Sequence, residues 1–337
     1  MGTFVENKGI LVEGASRQRD VTGDGTPLNS IDNIDDREEI TGGRSGFLMG
    51  LAAYLIWGSF PLYFKALAHV PASEVLAHRI IWSAIFLLVF VALTGAGAQL
   101  KSMLLDMRTL ATLTVTTLLI ATNWFVFIYA VEAGKVLESS LGYYINPLVS
   151  IFLAAVFLGE KLTGRQKVSI VLAAAGVAIQ TVMVGRLPII SITLAFTFGT
   201  YGLIRKAAKV PAVTGLAVET TLLSPFALAY LLWLMSQGKL SFMAAGTGAG
   251  TDILLFLAGA VTITPLILYG AAINRLRLST MGIMLYIVPT SHFMWAVFAF
   301  GEPFTMGHLV SFCFIWVGLV LYSSESLGIM RRSTRAL

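Results

Sequence analysis

VLESSLGYYINPLVSIFLAAVFLGE at residues 136–160 returns as LSTMGIMLYIVPTSHFMWAVFAFGE at residues 278–302. At an offset of 142, Tyr144 meets Tyr286, Ile145 meets Ile287, Pro147 meets Pro289, Gly159 meets Gly301 and Glu160 meets Glu302. Further out, Gly176 meets Gly318 at the same offset, while Gly58 meets Gly199 and Lys65 meets Lys206 at 141. Val70-Pro71-Ala72 meets Val210-Pro211-Ala212 at 140. The apolar body is therefore written twice. A membrane chain built from two such copies tends to keep its ligand site at the seam between them.

The chain is 56% hydrophobic and 12% charged, against the ~25% charge of a soluble domain. Most of its residues must therefore face lipid or each other. A helix crossing the ~30 Å hydrocarbon core needs about 20 apolar residues. Ten stretches qualify: 46–64, 74–94, 109–132, 137–158, 166–184, 188–206, 213–235, 252–273, 279–300 and 307–326. The break Val184-Gly185-Arg186-Leu187-Pro188 divides five from five. The expectation is an all-α integral membrane protein of ten transmembrane helices, arranged as two five-helix repeats over 46–184 and 188–326.

Residues 1–45 hold nine acids and five bases and lack the apolar core of a signal peptide. They bury too little to offset the entropy of ordering and read as a disordered acidic tail. The remaining residues carry the basic excess, which belongs to loops and to a basic tail over 327–337 rather than to a nucleic-acid site. The single cysteine, Cys313, allows no intrachain disulfide.

Lys and Arg positions orient the spans. With both ends cytoplasmic, eighteen bases fall inside and four, Lys65, Lys135, Arg186 and Lys239, fall outside. Five spans per copy then force the copies to cross in opposite senses. The loop after Glu160 reads KLTGRQK, whereas its partner after Glu302 reads PFTMGH without Lys or Arg. The same loop is basic where it is cytoplasmic and neutral where it is external, so the duplication reads as an inverted-topology repeat around a central cavity.

Pro147 and Pro289 sit mid-span at matching positions. Each removes a backbone hydrogen bond and frees a carbonyl that must be buried or wetted. They are hinge candidates, the alternative being a simple packing kink of the kind read for Pro61, Pro225 and Pro265. Arg79 and Glu219 are repeat partners at an offset of 140 and the ionisable residues most plainly inside spans. Such charges face the bundle interior or a watered cavity, or else snorkel to the surface. From 1.5 Å per residue they lie roughly 13 Å apart along the membrane normal, too far for a direct bridge. Glu219 is the candidate proton carrier.

Tyr54, Trp57, Tyr63, Trp82, Asn123, Trp124, Tyr143, Tyr144, Asn146, Tyr286 and His292 concentrate aromatic and amide groups in the first to fourth and the ninth spans. As cavity candidates they suit a small amphiphilic organic molecule; as plain structure they are belt or core residues. Glu160 and Glu302 end spans at opposite faces, where capping or tethering the next helix start is expected. Gly46 and Gly50 allow close helix packing. The chain has no HExxH, P-loop or Cys/His cluster, so no catalytic residue, metal site or cofactor is expected.

AAYLIWGSFPLYFK (52–65), EVLAHRIIWS (74–83), NWFVFIYAV (123–131), LESSLGYYINPLVSIFLAAVFLGE (137–160), YGLIRK (201–206), LRLSTMGIMLYIVPT (276–290) and FIWVGL (314–319) resemble the RarD-type permeases. These are a branch of the EamA family in the drug/metabolite transporter superfamily. The resemblance covers the apolar body and not the acidic tail. It implies ten helices in two inverted halves, a bacterial plasma-membrane location and a permease often named for chloramphenicol sensitivity or resistance. It supplies no catalytic residues. His78-Arg79, Asn123-Trp124 and Tyr144-Ile145-Asn146-Pro147 match the family pattern. The expected function is a secondary transporter working by alternating access, exporting a small amphiphilic metabolite or drug, with proton exchange through Glu219. An amino-acid or metabolite importer is the alternative, followed by an intramembrane lipid-modifying enzyme or a non-transporting scaffold. The expected partners are the small-molecule substrate and membrane lipid, with oligomeric state left open.

Overall fold

Pro71 and Pro211, partners in the duplication, each stand immediately before a long helix with extended backbone (φ −54, ψ 135 and φ −59, ψ 145). The ring fixes φ, and the absent N–H is one that the first helical turn could not have bonded. The other end of the copies is equally regular. Gly159 and Gly301 both adopt φ +67 after the last turn of their helices, a left-handed conformation that a Cβ would strain. Thr163 and Gln166 form a capping box that starts the helix at Gly164.

The computed structural model describes residues 44–334 except 245 and 277, with side chains over the same range except 278, 279 and 325–334. The tail expected over 1–45 lies outside the described residues apart from Arg44 and Ser45, as do 335–337 of the basic tail. In chain order the helices are α1 (Arg44–Ala66), α2 (Ala72–Leu93), α3 (Gly97–Leu105), α4 (Met107–Glu132), α5 (Val136–Leu158), α6 (Gly164–Val184) and α7 (Ile189–Ala208). Then follow α8 (Ala212–Ser236), α9 (Gly248–Ile273), α10 (Thr280–Ala299) and α11 (Met306–Thr334). The described residues are otherwise loops and turns, so the chain is all-helical there. Gly46–Leu337 form one unit.

Nine of these helices are long and apolar enough to cross a membrane. The stretch expected at 188–206 is also a helix, α7, but it is not among the nine. Arg205 and Lys206, at the end of that stretch, lie within its last turn and lower its apolar character. Two further differences have local causes. The segment Gly97–Leu105 forms a short helix with no buried residue, which span counting could not register. Residues Leu285 and Tyr286 interrupt α10 between Leu278–Met284 and Ile287–Met294. Pro289 cannot bond the Leu285 carbonyl four residues earlier, and the Val288 N–H donates to it instead at 3.3 Å. Pro147, by contrast, sits inside a continuous α5.

Lipid tails supply no hydrophobic force between helices, so close packing of small residues must do so. A Cβ on Gly176 of α6 would lie 2.9 Å from the Ser311 carbonyl oxygen of α11, and a Cβ on Gly318 of α11 would lie 3.0 Å from that of Ser169 in α6. The contact is reciprocal, because Ser169 and Ser311 are also 142 residues apart. A second pair repeats the pattern. A Cβ on Gly58 of α1 would lie 2.7 Å from the Ser291 hydroxyl of α10, and one on Gly199 of α7 would lie 3.4 Å from that of Ser150 in α5. Outward-facing Val182, Phe226 and Phe298 are 82%, 75% and 71% exposed, a surface suited to lipid rather than water.

Candidate functional site

Arg79 on α2 is only 4% exposed and does not snorkel. Its Nε donates to the Thr262 hydroxyl on α9 at 2.8 Å. Its guanidinium carbon lies 4.0 Å from the Trp124 ring centre, with Phe64 at 5.5 Å and Phe60 at 5.6 Å. Ring quadrupoles attract a desolvated cation by about 2 kcal/mol. Three such faces therefore offset part of the burial cost without a carboxylate. Among the described residues, the ion pairs are Glu138–Arg186 and Glu219–Arg205, and Arg79 is in neither.

Glu219 on α8 is fully buried and has separate partners. The Thr116 hydroxyl of α4 donates to it at 2.6 Å, Tyr201 at 3.2 Å and Arg205 Nη1 at 3.3 Å, both from α7. Arg205 also donates to the carbonyls of Pro211 and Ala212, closing the α7–α8 connection over the carboxylate. Arg79 and Glu219 thus occupy distinct clusters, each bonded between the first and second halves of the chain, α2 to α9 and α8 to α4.

The aromatic candidates fall into several separate groups. Tyr54 donates to the Met281 carbonyl at 3.1 Å and packs edge-on to Trp57, with Tyr269 beside both. Tyr144 exchanges a hydrogen bond with Thr290 at 2.7 Å and packs against Phe312 and Trp316. Near it, the Ser140 hydroxyl donates to the Pro289 carbonyl at 2.8 Å, joining α5 to the interrupted α10. Tyr286 bonds Ser323 at 3.0 Å. Trp82 packs on Phe86 and Phe256, its indole N–H buried without a partner.

His292 is 2% exposed, stacks on Phe127 at 5.3 Å and meets the Tyr143 ring at 5.4 Å. Its Nε2 lies 3.1 Å from the Trp57 carbonyl. The amides tie helices together. The Asn123 Nδ2 donates to the Leu194 carbonyl and the Thr197 hydroxyl, and that of Asn146 to the Ala195 carbonyl.

Sequence reasoning missed Arg205, Thr116, Thr262, Phe60, Phe64 and Phe127 as parts of these clusters. Phenylalanine and threonine in a span carry no mark that separates site from core. Arg205 was readable only as a loop charge. Glu302 does cap a helix, but an earlier one than expected: its carboxylate accepts from the Val136 and Leu137 N–H groups of α5 at 2.7 and 2.8 Å. Glu74 and Glu132 similarly accept backbone N–H groups, of Ser241 and Phe242 and of Ala72. A cavity of about 590 Å³ lies apart from the chosen residues, lined by Arg108, Thr112, Phe157, Thr200 and Ile204 at the ends of α4, α5 and α7.

Comparison with known proteins places this architecture. Residues 44–182 match the EamA-like transporter family. The protein RarD of Escherichia coli is 42% identical over 87% of this chain and 98% of its own length. An uncharacterized transporter of Vibrio cholerae is 42% identical over 87% of this chain and 96% of its own. A Pseudomonas aeruginosa protein named chloramphenicol-sensitive protein RarD is 30% identical over 86% and 97%. A protein of known crystal structure shares the fold at 19% identity, with a TM-score of 0.52 over 82% of this chain and 96% of that one.

Proposed function

Since this chain belongs to the RarD-type permeases of the EamA family, a membrane-transporter family, we propose that it is a secondary active transporter of the cell membrane. It exports a small amphiphilic metabolite or drug, such as chloramphenicol, by alternating access. The observation that carries this reading is the placement of Arg79 and Glu219. Both are buried within apolar helices, and both are bonded across the two copies of the repeat. Charges at membrane depth are costly and are kept where a substrate or ion passes.

On this reading the membrane body is two inverted-topology repeats, 46–184 and 188–326, around one central pathway, with both chain ends cytoplasmic. Ten helices cross the membrane, α7 among them. The reciprocal contacts Gly176 with Ser311 and Gly318 with Ser169 support it, because a two-fold axis generates such pairs. The interrupted α10 at Pro289 and the continuous α5 at Pro147 provide unequal hinges at matching places. Rocking of the copies about them exposes the aromatic interior first to one side and then to the other. Glu219, released from Arg205 on protonation, couples the step to protons.

Counterflow in proteoliposomes against a panel that includes amino acids and chloramphenicol tests the proposal. Purified protein is expected to exchange at least one solute, with proton dependence removed in Glu219→Gln. Movement of no solute across the panel would sink the transporter reading. Unchanged proton dependence in the variant would sink the role of Glu219.

A further inference from the structure

The buried cation and the buried histidine face one continuous aromatic wall. Phe64, one of the rings over the Arg79 guanidinium, packs on Phe127 at 5.9 Å. Phe127 in turn stacks on His292. Tyr143 meets both Phe127, at 5.9 Å, and His292. The wall draws on α1, α2, α4, α5 and α10, and so on both copies of the repeat.

The two ends of this wall offer complementary unused valences. At one end the guanidinium is held through Nε alone, leaving the Nη edge, the geometry that receives a carboxylate in fork fashion, without a carboxylate partner. At the other end the Trp57 carbonyl can only accept, so Nε2 of His292 donates to it. In the neutral imidazole Nδ1 is then a bare acceptor, and it is buried with no partner. An orphaned buried acceptor is costly unless a donor visits it.

We propose that this wall is the substrate site and that it takes a small organic anion, with a carboxylate on Arg79, an apolar or aromatic body along Phe64 and Phe127, and a hydroxyl or amine donor on His292 Nδ1. The assignment rests on the transporter reading and narrows its substrate class from amphiphiles in general to monocarboxylates bearing a distal donor, a class that leaves out neutral chloramphenicol. The rings touch in this structure, so the ligand enters when α1 and α10 part from α2 and α4.

The test uses the full-length protein in detergent, where binding is read by tryptophan fluorescence, Trp124 being beside the guanidinium, and by thermal shift. Three probes of one shape separate the contacts. They are 3-(4-hydroxyphenyl)propionate, 3-phenylpropionate without the hydroxyl, and 3-(4-hydroxyphenyl)propanamide without the charge. The hydroxy acid is expected to bind, the amide about tenfold to a hundredfold more weakly, and the des-hydroxy acid about tenfold more weakly. Arg79→Gln is expected to abolish the preference for acid over amide and Arg79→Lys to keep part of it. His292→Phe is expected to abolish only the preference for the hydroxyl. Should Arg79→Gln fail to fold, the acid-to-amide ratio on the unaltered protein still decides. Equal affinity for acid and amide, or no binding of either acid at 10 mM (roughly a −3 kcal/mol limit), overturns the site. Binding of the acid without counterflow leaves the site standing and sinks the transporter reading. Counterflow of neutral solutes alone does the reverse.

Discussion

Arg205 reaches Glu219 across 3.3 Å, over a stretch of α8 that carries no side chain because residue 215 is glycine. A Cβ there would fall 1.8 Å from Arg205 Nη1. The ion pair is thus seated on Gly215, and its integrity can be probed from three positions. Removing one member of a buried pair costs about 3–5 kcal/mol, because the other is left charged and alone. Arg205→Met is therefore expected to lower stability by about that amount, less whatever Thr116 and Tyr201 retain. Glu219→Gln in the same chain is expected to recover part of the loss. Gly215→Ala is expected to act in the direction of Arg205→Met but more weakly, since a guanidinium can swing aside. Denaturant titration of the parent, these three variants and Glu219→Gln alone, five proteins in micelles, measures this, and strict additivity of the Arg205 and Glu219 changes would show that the two do not interact.

The crossing of α2 and α9 tests close packing in a different way. A Cβ on Gly259 would lie 2.4 Å from the Trp82 carbonyl carbon and 2.6 Å from the Ser83 nitrogen. Backbone cannot step aside as a side chain can. Gly259→Ala is expected to force the helices apart at a cost of about 1–3 kcal/mol or more, and to disturb the Arg79–Thr262 bond between the same two helices. Gly250→Ala on the same helix meets nothing within 4 Å and is expected to be neutral or slightly stabilising. Thermal unfolding of both variants distinguishes crowding from a general effect of alanine.

If the α6–α11 crossing is two-fold, its two glycines are equivalent. Gly176→Ala and Gly318→Ala are each expected to destabilise, and by amounts equal within about 0.5 kcal/mol. A large inequality, measured in one detergent at one pH, would show that the symmetry is a matter of sequence only.

Asp106 offers a pH-dependent measurement outside the membrane spans. It stands before α4 and accepts hydrogen bonds from the Thr109 hydroxyl at 2.5 Å and the Thr109 and Arg108 N–H groups. The Thr109 bonds, side chain first, hold its carboxyl below the usual carboxylate range. A carboxyl whose folded pKa is depressed contributes stability above its unfolded pKa and loses it as pH falls through the lowered value. Asp106→Asn is therefore expected to flatten the acid limb of the stability curve. Carboxyl titration by NMR of the labelled protein checks the direction; a value at or above that of a free aspartate contradicts the cap.

What the sequence disclosed, and what it hid, follows from the range of each signal. Pro71, Gly159, Pro211 and Gly301 announce helix ends because a ring or a missing Cβ acts locally, and those ends lie where expected. Spans announce themselves by 20-residue averages, which is why Gly97–Leu105 was invisible and why α7, with Arg205 and Lys206 in its last turn, is ambiguous. Arg79 and Glu219 stood out as charges among apolar neighbours. Their partners did not, because the rings of Phe60 and Phe64 and the hydroxyls of Thr116 and Thr262 are ordinary span residues until folding brings them together. The break in α10 at Pro289 was expected, but the continuity of α5 through Pro147 was not. The sequence gives Pro147 and Pro289 identical standing, and the surroundings decide that only the second opens its helix.

Glu302 closes the first turn of α5 from 166 residues further along the chain. At a synthesis rate of about 5–20 residues per second, that carboxylate emerges roughly 8–33 s after Val136 does. Until then two amides at the head of α5 wait for their acceptor, and α6 lacks the α11 surface on which its glycine packs. The first half of the apolar body therefore enters the membrane as an unfinished piece, completed only once the loop at Glu302 and α11 have been made. Truncation before Glu302 is a lesion of assembly as much as of function, and nascent chains stalled there should remain prey to membrane proteases.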